Sequence, residues 1–479
     1  MKTHQIVSAF IAMIALSTIS IATSYAQFAE DALRFSSTGI GVGSRAMGMG
    51  GAYIGVADDY SAALWNPAGL AQLRRLEFTG GILSSGYKNN ASFLGTTTTG
   101  TNSGTAFDNV GFVFPFPTVR GSLVFAVGYN RVNDFLTALS FNGFNPKSSI
   151  IPSLYDSDGF YDIPFKVYLN DTSGYTPIQK NVNQSGDVRE SGSIGTWTFS
   201  GAIDVEKDLS FGISINIING TYNYVRNYVE EDLLNVYQNT EAALSRDSLY
   251  LRFNKFKYDN SVTSELTGAN VLFGALYRFE DIARVGVTIK TPSTLTIHDS
   301  YTNSGESYFD DGQSFSHSYD SYYDYGVQTP WVFGAGGSYS PFEGLLLAAG
   351  VEYTDWTEIQ WTNSTELEKE NISLKKNFRA TTNYSVGGEF EIPSTDVRVR
   401  AGYAYKPSAF EGDPSSYNEK IVTAGAGILL QDNVMFDVAG AFGSMKNYHN
   451  NYGPKTLDLS RTNETISTSH IDFTVSYRF

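Results

Sequence analysis

Residues 209–217 read LSFGISINI, and their alternation of side chains recurs through most of the chain. The odd positions from Leu209 to Ile217 are large and apolar, whereas the even positions are serine, glycine and asparagine. Because successive side chains of a strand point to opposite faces, the run predicts a β-strand with one apolar face and one small, polar face. The same pattern occurs in 122–129, 285–290, 397–406 and 471–479.

The strand-like runs come in pairs joined by tight turns, and long polar segments separate the pairs. The tight turns lie at Pro115–Arg120, Asp204–Asp208, Glu280–Ile282, Ser340–Glu343, Ile392–Thr395 and Gln431–Asn433, and the long segments lie at 85–106, 133–191, 229–261, 299–328, 362–379, 407–419 and 448–467. Short periplasmic turns and longer extracellular loops are typical of transmembrane β-barrels. We therefore predict that residues 74–479 form an all-β, antiparallel transmembrane barrel with long extracellular loops.

Fourteen runs qualify as strands, an even number that returns both ends of the barrel to the periplasmic rim. They are 74–83, 107–116, 121–132, 192–204, 208–228, 262–279, 283–298, 329–340, 344–361, 380–391, 396–406, 420–431, 433–447 and 468–479. Residues 246–258 also contain a strand-like alternation. We assign them to a loop or to an extension beyond the membrane, since one more spanning strand would make the number odd.

A large secreted β-protein would show the same alternation, but three further features favour the membrane. Several apolar faces end in aromatic residues, as expected at a membrane–water interface: Tyr129, Tyr339, Tyr353, Trp356 and Tyr403. The opposite faces mix small residues with ionisable ones, which would make a poor soluble core. The chain also stops in mid-pattern at Phe479, which resembles the signal read by the bacterial barrel assembly machinery. We expect contacts with that machinery and with outer-membrane lipids.

Composition excludes several classes of protein. The net charge of −16 argues against nucleic-acid binding, and the absence of cysteine rules out disulfides and thiolate metal sites. We find no nucleotide or metal motif and expect no cofactor and no metal. The five acidic residues of 301–325 predict a solvated surface rather than a calcium site. Lys2, an apolar stretch near 6–21 and small residues up to Ala26 predict a secretory signal peptide, residues 1–26.

Residues 38–73 break the alternation. They are rich in glycine and alanine, and a short helix is expected near Asp58–Leu64, ended by Asn66 and Pro67. A compact segment of small residues at the rim of a fourteen-stranded barrel fits inside the lumen, where the small inward-facing residues leave room. We therefore predict that residues 27–73 form a partly helical plug, which we call the hatch.

Three motifs of this segment resemble the N-terminal hatch of FadL-type outer-membrane transporters, which carry long-chain fatty acids and other hydrophobic compounds. They are RAMGMGG at 45–51, ADD at 57–59 and WNPAGL at 65–70, and they contain Gly48, Gly50, Gly51, Asp58, Asp59, Asn66, Pro67 and Ala68. Residues 330–336, 351–356 and 399–403 look like barrel strands of that family. The resemblance is faint in 133–191 and 229–261, where the substrate-capturing groove of the family is expected.

The resemblance implies a mechanism and a set of partners. Extracellular loops catch a hydrophobic small molecule and pass it to an apolar pocket above the hatch. A change in the N-terminal segment then opens a way out, with lateral escape through a gap in the barrel wall. In the family the N-terminus that signal-peptide cleavage creates reaches toward the pocket. This makes Phe28, close to the predicted cleavage site, a candidate ligand contact. The resemblance also implies a monomer, and the absence of a nucleotide site implies passive diffusion.

The charges of the hatch suggest how it is held. Asp58 and Asp59 are predicted to pair with inward-facing arginines, because buried unpaired charge is costly. The candidate partners are Arg284, Arg398, Arg400 and Arg478, which share the parity of the inner face. Alternatively, these arginines pair with the barrel acids Glu389, Asp437 and Asp472 or meet lumenal water.

Two other functions remain open at this point. Some barrels that resemble this family serve protein secretion or assembly machines and bind a partner instead of carrying lipid. An outer-membrane hydrolase would need an oriented Ser–His pair. His470 has lumenal parity and His298 lies at a strand end, but the chain has no G-x-S-x-G and no H-E-x-x-H motif, so we expect no enzyme.

Overall fold

The structure is a computed structural model that describes residues 25–155, 162–171, 173–238, 252–280, 282–452 and 459–479. Within them the strands are β1 Glu77–Phe93, β2 Thr96–Phe116, β3 Leu123–Asp134, β4 Thr137–Asn145, β5 Val182–Glu206, β6 Leu209–Glu231, β7 Phe253–Phe279, β8 Ala283–Lys290, β9 Thr294–Phe309, β10 Ser314–Gln328, β11 Val332–Phe342, β12 Leu345–Asp355, β13 Gln360–Thr362, β14 Ala380–Glu391, β15 Val397–Lys406, β16 Glu419–Leu430, β17 Val434–Asn450 and β18 Arg461–Arg478.

The helices are short. In the same described residues they are α1 Tyr25–Ser36, α2 Ser44–Gly48, α3 Ala62–Trp65, α4 Ile163–Lys166, α5 Thr365–Glu368 and α6 Asn371–Asn377, with 3₁₀ turns at Pro67–Gln72, Ile151–Leu154, Trp356–Glu358 and Ser415–Tyr417. No helix in the described part of the chain is long and apolar enough to cross a bilayer. Most of the predicted signal peptide, residues 1–24, lies outside the described residues.

Fourteen of the described strands close into a ring by antiparallel pairing. Their order is β1, β2, β3, β5, β6, β7, β8, β11, β12, β14, β15, β16, β17 and β18. The ring closes where β18 pairs with β1, from Glu77↔Arg478 to Phe93↔Thr462. Each of the fourteen predicted strands corresponds to one member of this ring, so the predicted fold is confirmed.

The remaining strands correct the sequence prediction in the long polar segments. Residues 85–106, expected as a loop, are the paired upper halves of β1 and β2 and turn at Leu94–Gly95. Run 283–298 divides into β8 and β9, because Pro292 lies between them and cannot donate to the sheet. Residues 253–258 begin β7, which makes them a strand extension, whereas 246–251 lie outside the described residues. Strands β5, β6 and β7 are the longest of the described strands, at 25, 23 and 27 residues.

The two faces of the ring strands differ as the alternation predicts. On β6 the side chain of Phe211 is 48% exposed on the outside, whereas Ser210 and Ser214 are fully buried inside. Aromatic side chains such as Tyr339 and Tyr353 also face outward. Trp356 is an exception, since its indole Nε1 donates to Thr381 Oγ1 at 2.8 Å and the residue lines the lumen.

The lower hatch, residues 44–73, fills the lumen next to the short turns. Its buried apolar side chains pack with inward-facing residues of several strands, among them Val113, Val124, Ala126, Ala202 and Ala348. Strand hydroxyl groups bind its backbone. Ser214 Oγ donates to the carbonyl of Ala63 at 2.6 Å, and Thr423 Oγ1 donates to that of Gly48 at 3.0 Å. The small polar inner face therefore accommodates the hatch and also binds it.

Glycines on the inner face allow the hatch backbone to touch the barrel wall. A Cβ built on Gly387 would lie 2.2 Å from Met49 O, and one on Gly402 would lie 2.3 Å from Gly50 N. A Cβ on Gly111 would lie 2.1 Å from the ring of Tyr60. Because non-bonded heavy atoms pack best at about 3.5–4.0 Å, no larger residue fits at these positions while the hatch is seated.

Candidate functional site

The Asn66-Pro67-Ala68 motif ties the hatch to the barrel wall. Asn66 is fully buried, and its Nδ2 donates to the carbonyls of Ile54 at 2.9 Å and Ala275 at 3.1 Å. Its Oδ1 accepts from the backbone N–H of Ala68 at 3.2 Å, which caps the 3₁₀ turn that Pro67 begins. One side chain thus joins two parts of the hatch to strand β7.

Replacing Asn66 with alanine is expected to loosen the hatch, because the carbonyls of Ile54 and Ala275 lose a buried donor. Each unsatisfied buried group costs about 1–3 kcal/mol. Amide hydrogen exchange should accelerate at least tenfold in peptides that cover 50–73 and stay unchanged in ring strands. Asn102→Ala is the matched control, since Asn102 Nδ2 also donates to two carbonyls, those of Thr137 and Glu190, but outside the hatch. Equal exchange in both variants would contradict this role.

The glycines of the first motif form a sharp turn after α2. Gly50 and Gly51 have φ values of +67° and +76°, a region that glycine enters without steric cost. The amide of Gly51 donates to the carbonyl of Ala46 at 2.9 Å. Gly48 lies against β15 and β16, since a Cβ there would be 3.4 Å from Arg400 Cβ and from Gly425 Cα.

The two aspartates of the second motif have different partners. Asp58 forms ion pairs with Arg45 of the hatch and with Arg284 of β8, the latter at 3.0 Å. Burial alone would raise the pKa of Asp58, but the two arginines outweigh it and hold that pKa well below its usual range. Asp59 instead accepts from the Tyr53 hydroxyl at 2.6 Å and from Ser61 N at 2.9 Å. This local turn explains why α3 begins at Ala62 and not near Asp58.

The Asp58 pair belongs to a longer chain of charges across the lumen. Arg45 binds Glu389 of β14 with two hydrogen bonds, at 2.8 and 2.9 Å. Glu389 also accepts from Arg400 Nε at 2.6 Å, and Arg400 pairs with Asp437 of β17. The order Arg284, Asp58, Arg45, Glu389, Arg400, Asp437 alternates in sign and connects the hatch with four strands. We call this set the ion-pair chain.

Among the described residues, none of the remaining predicted arginines forms an ion pair with Asp58 or Asp59, although Arg478 Nη2 donates to the backbone carbonyl of Asp58 at 3.5 Å. Arg398 pairs with Glu391 at the short-turn rim, at 3.0 Å. Arg478 pairs with Glu77 at 2.7 Å, and Glu77 accepts from the backbone N–H of Tyr60. Strand parity placed these arginines on the inner face, but barrel acids lie closer to them than the hatch does. Of the alternative partners, Glu389 and Asp437 both pair with Arg400, whereas Asp472 forms no ion pair within the described residues.

A cavity of about 240 Å³ lies above the lower hatch, toward the long loops. Its lining is largely apolar and includes Ile54, Trp65, Leu272 and Leu295. Three charged side chains line it: Lys290, Lys406 and Glu352. Both lysines have inward parity in the sequence, which is the signal that would have singled them out.

Helix α1 and the segment after it cover the cavity. Ala29, Ala32 and Phe35 are buried in a cluster with Tyr222 and other residues of the long-loop side. Arg34 Nη2 pairs with Glu190 at 3.2 Å, and its guanidinium lies 4.7 Å from the centre of the Tyr222 ring. Residues 35–42 form part of the cavity lining. Phe28 belongs to α1, but its side chain lies outside the part of the chain that the structure describes.

The wall of the barrel separates between β2 and β3. These strands pair only from Asn109↔Asn130 to Phe116↔Leu123. Just above, Asp108 is an extra residue in β2 opposite β1, and Val132 is an extra residue in β3 opposite β5. The Val132 carbonyl accepts from the amide of Gly39 in the hatch at 3.0 Å. The two bulges therefore direct β2 and β3 away from each other above the pair Asn109↔Asn130.

A second cavity of about 240 Å³ lies beside this separation. Its lining includes Arg131, Asp134 and Leu136, and it shares residues 38–41, Val132 and Lys406 with the first cavity. The two cavities therefore adjoin at the segment that follows α1. Together they trace a path from the covered centre of the lumen to the separated strands.

Neither His470 nor His298, the two candidate histidines, has the partners of a hydrolytic site in the described residues. Ser85 Oγ lies 2.9 Å from His470 Nδ1 and donates to Asp134 Oδ2 at 2.7 Å. In a catalytic triad the carboxylate orients the histidine and not the serine. His298 contacts Asp324 on the exposed surface at 2.8 Å. No group of three His, Cys, Asp or Glu side chains suited to a metal ion occurs within the described ranges.

These features define a class of protein: a fourteen-stranded β-barrel stoppered by its own N-terminal segment, with a covered apolar cavity above the stopper. A family model described as outer membrane protein transport protein (OMPP1/FadL/TodX) matches residues 175–479. The chain belongs to this family. It is therefore a transporter of hydrophobic compounds in the bacterial outer membrane, and it is not an enzyme.

Solved structures share the fold at low sequence identity. The toluene transporter TodX of P. putida is 15% identical, with a TM-score of 0.59 over 92% of this chain and 99% of that one. A Pseudomonas aeruginosa FadL homologue is 14% identical, with a TM-score of 0.54 over 92% and 98%. The Ralstonia pickettii toluene transporter TbuX is 16% identical, with a TM-score of 0.51 over 92% and 99%. No curated protein sequence matches the chain.

Proposed function

We propose that the chain carries long-chain fatty acids or similar amphiphiles across the outer membrane by passive diffusion, triggered by a ligand-induced rearrangement of the hatch. The observation that carries this proposal is the charge of the central cavity. Its apolar lining suits an alkyl chain, and its two lysines exceed its one acidic residue by a single charge. An ammonium group in such a lining favours a carboxylate over an uncharged hydrocarbon.

The size of the cavity supports a rearrangement. Ligand sites typically measure about 300–1,000 Å³, and the covered cavity is smaller. A long alkyl chain therefore requires α1 and residues 37–42 to withdraw. Because those residues also contact Val132 and Lys406 beside the wall separation, their withdrawal would join the two cavities. Cargo would then leave sideways between β2 and β3 into the lipid. In this proposal Phe28 on α1 contacts the cargo.

Replacing Lys290 with methionine tests the carboxylate preference. A charge-assisted hydrogen bond contributes about 1.5–3 kcal/mol, so the half-saturating concentration of a long-chain fatty acid should rise roughly tenfold or more. Uptake of the fatty alcohol of equal length should not change. The measurement is uptake of both radiolabelled compounds by cells that lack the native protein and express each variant.

Lys420→Met is the matched control, because Lys420 lies on β16 and lines neither cavity. Equal losses for the acid and the alcohol would refute a carboxylate site. If cells without the protein lose no uptake of either compound, the alternative of a secretion or assembly component gains support. Co-purification of a stoichiometric protein partner would then decide for that alternative.

We propose further that the barrel acts as a monomer surrounded by outer-membrane lipids and that its last strand is read by the barrel assembly machinery. Exposed apolar side chains occur on ring strands at both sides of the β1–β18 seam, among them Phe114, Val438 and Phe473. The terminal Phe479 is exposed, and its amide donates to the carbonyl of Leu76 at 2.9 Å.

A further inference from the structure

Two aspartates are buried beside the seam where the first and last strands meet. Asp108 on β2 and Asp472 on β18 are 1% and 0% exposed. Between their strands lies Gly81 of β1, whose register partners are Asn109 and Thr474. A Cβ on Gly81 would lie 2.8 Å from Asn109 Nδ2 and 3.3 Å from Thr474 Oγ1.

Both carboxylates bind side chains that border this glycine. Asn109 Nδ2 donates to Asp108 Oδ2 at 2.7 Å, and Thr474 Oγ1 donates to Asp472 Oδ2 at 3.5 Å. Asn109 and Thr474 border the same open point above Gly81, so each carboxylate is hydrogen-bonded to a side chain at that point. The bulge at Asp108 makes this possible, since it turns two successive side chains of β2 into the lumen.

The hatch covers this site from the inside. Ser44 Oγ lies 2.9 Å from Thr474 Oγ1, and the backbone N–H of Ser44 donates to the same oxygen at 3.2 Å. Ser44 and Gly43 of the hatch also lie close to the carboxylates of Asp472 and Asp108, respectively. One segment of the hatch thus contacts both acids.

Arg131 interacts electrostatically with Asp108, but no ion pair within the described residues balances the two negative charges. Within the described residues neither aspartate forms an ion pair, in contrast to Glu389 and Asp437, which both contact Arg400. Arg131 directs its guanidinium to the carbonyl of Gly192, at 3.5 Å. Two oxygens, Asp472 Oδ1 and Asn109 Oδ1, are buried without any donor. Buried carboxylates without a partner are strongly disfavoured as anions, so the site must take up either a proton or a cation.

We propose that Asp108 and Asp472 bind a calcium ion that fastens the hatch to the seam of the barrel. The donor set consists of oxygens, which hard divalent cations prefer, and two carboxylates neutralise the charge of one such ion. The free Asn109 Oδ1 and the hydroxyls of Ser44 and Thr474 supply further ligands. Calcium tolerates an irregular arrangement of six to eight oxygens, whereas magnesium demands a near-ideal octahedron.

Calcium titration of the full-length protein tests this proposal. The protein is purified in detergent, treated with EDTA and titrated with CaCl₂ in a calorimeter at neutral pH. We expect one equivalent of calcium to bind, and Asp108→Asn and Asp472→Asn each to weaken binding at least tenfold. Magnesium should bind at least tenfold more weakly than calcium.

Glu464→Gln is the matched control, because Glu464 is another buried acid of β18 but lies opposite Ala91 of β1, ten residues along the strand from Gly81. It should bind calcium as the wild type does. Folding of each variant is checked by its heat-modifiable migration in gels. Ser44→Ala removes one neutral ligand without changing the charge, and it should weaken binding several-fold even if an aspartate variant does not fold.

Two results would overturn the proposal. One is a wild-type protein that binds no calcium after EDTA treatment, which would mean that the aspartates share a proton. The other is calcium binding that Asp108→Asn, Asp472→Asn and Ser44→Ala all leave unchanged. Neither result depends on the identity of the cargo, since uptake is not measured.

Discussion

Reversing the charge of Asp58 to arginine is expected to open the barrel to small solutes. The variant would place a third guanidinium between Arg45 and Arg284, and both would lose their shared carboxylate. Breaking a buried ion pair by removing one partner costs about 3–5 kcal/mol. Repulsion within the ion-pair chain would then favour an unseated hatch. The rate of sugar influx in liposome-swelling assays should therefore rise at least tenfold.

The control for this experiment is Glu391→Arg, which makes the same change of charge in a pair that does not touch the hatch. Glu391 contacts Arg398 at the short-turn rim and is largely exposed, and surface pairs contribute at most about 1 kcal/mol. Influx through this variant should equal that of the wild type. A closed barrel with Asp58→Arg would show that hydrophobic packing alone seats the hatch.

Replacing Gly387 with valine is expected to prevent the hatch from seating at all. The new Cβ would lie 2.2 Å from the carbonyl oxygen of Met49. Neither atom can rotate away, because the oxygen is part of the backbone and the Cβ is bonded directly to it. The hatch must therefore move, while the pairing of β14 with β12 and β15 needs no change. In planar bilayers the variant should show a steady conductance at least tenfold above that of the wild type.

Gly201→Val separates this effect from a general effect of valine in a strand. Gly201 lies on β5, and its built Cβ meets nothing closer than a carbon of Phe125 at 3.4 Å. This variant should stay as closed as the wild type. If Gly387→Val also stays closed, the contact between hatch and wall gives way more easily than the geometry implies.

The fold was predictable where one face of a strand is apolar. Alternation is local, so residues 209–217 and 471–479 predict their strands without tertiary information. The upper halves of β1 and β2 escaped because serine, threonine, asparagine and glycine make up most of both faces of 84–105. Strand segments that extend beyond the lipid do not need one continuously apolar face, so the alternation of side chains does not identify them.

The site was predictable in its motifs but not in its pairings. Parity places Arg284 and Arg400 inside, and only Arg284 reaches Asp58, because Glu389 and Asp437 lie closer to Arg400. Bulges at Asp108 and Val132 reverse the parity of their strands, and a single sequence gives no sign of them. The roles of Asn66 likewise depend on carbonyls that are far away in the chain.

The length of β7 sets the height at which molecules enter. About 9–11 tilted residues cross a bilayer, whereas β7 has 27 residues. At about 3.3 Å per residue and a tilt near 45°, the strand rises about 60 Å, roughly twice the thickness of the hydrocarbon layer. The mouth therefore stands about 20 Å above the lipid headgroups, so we expect a hydrophobic solute to enter from the surrounding water and not from the outer leaflet.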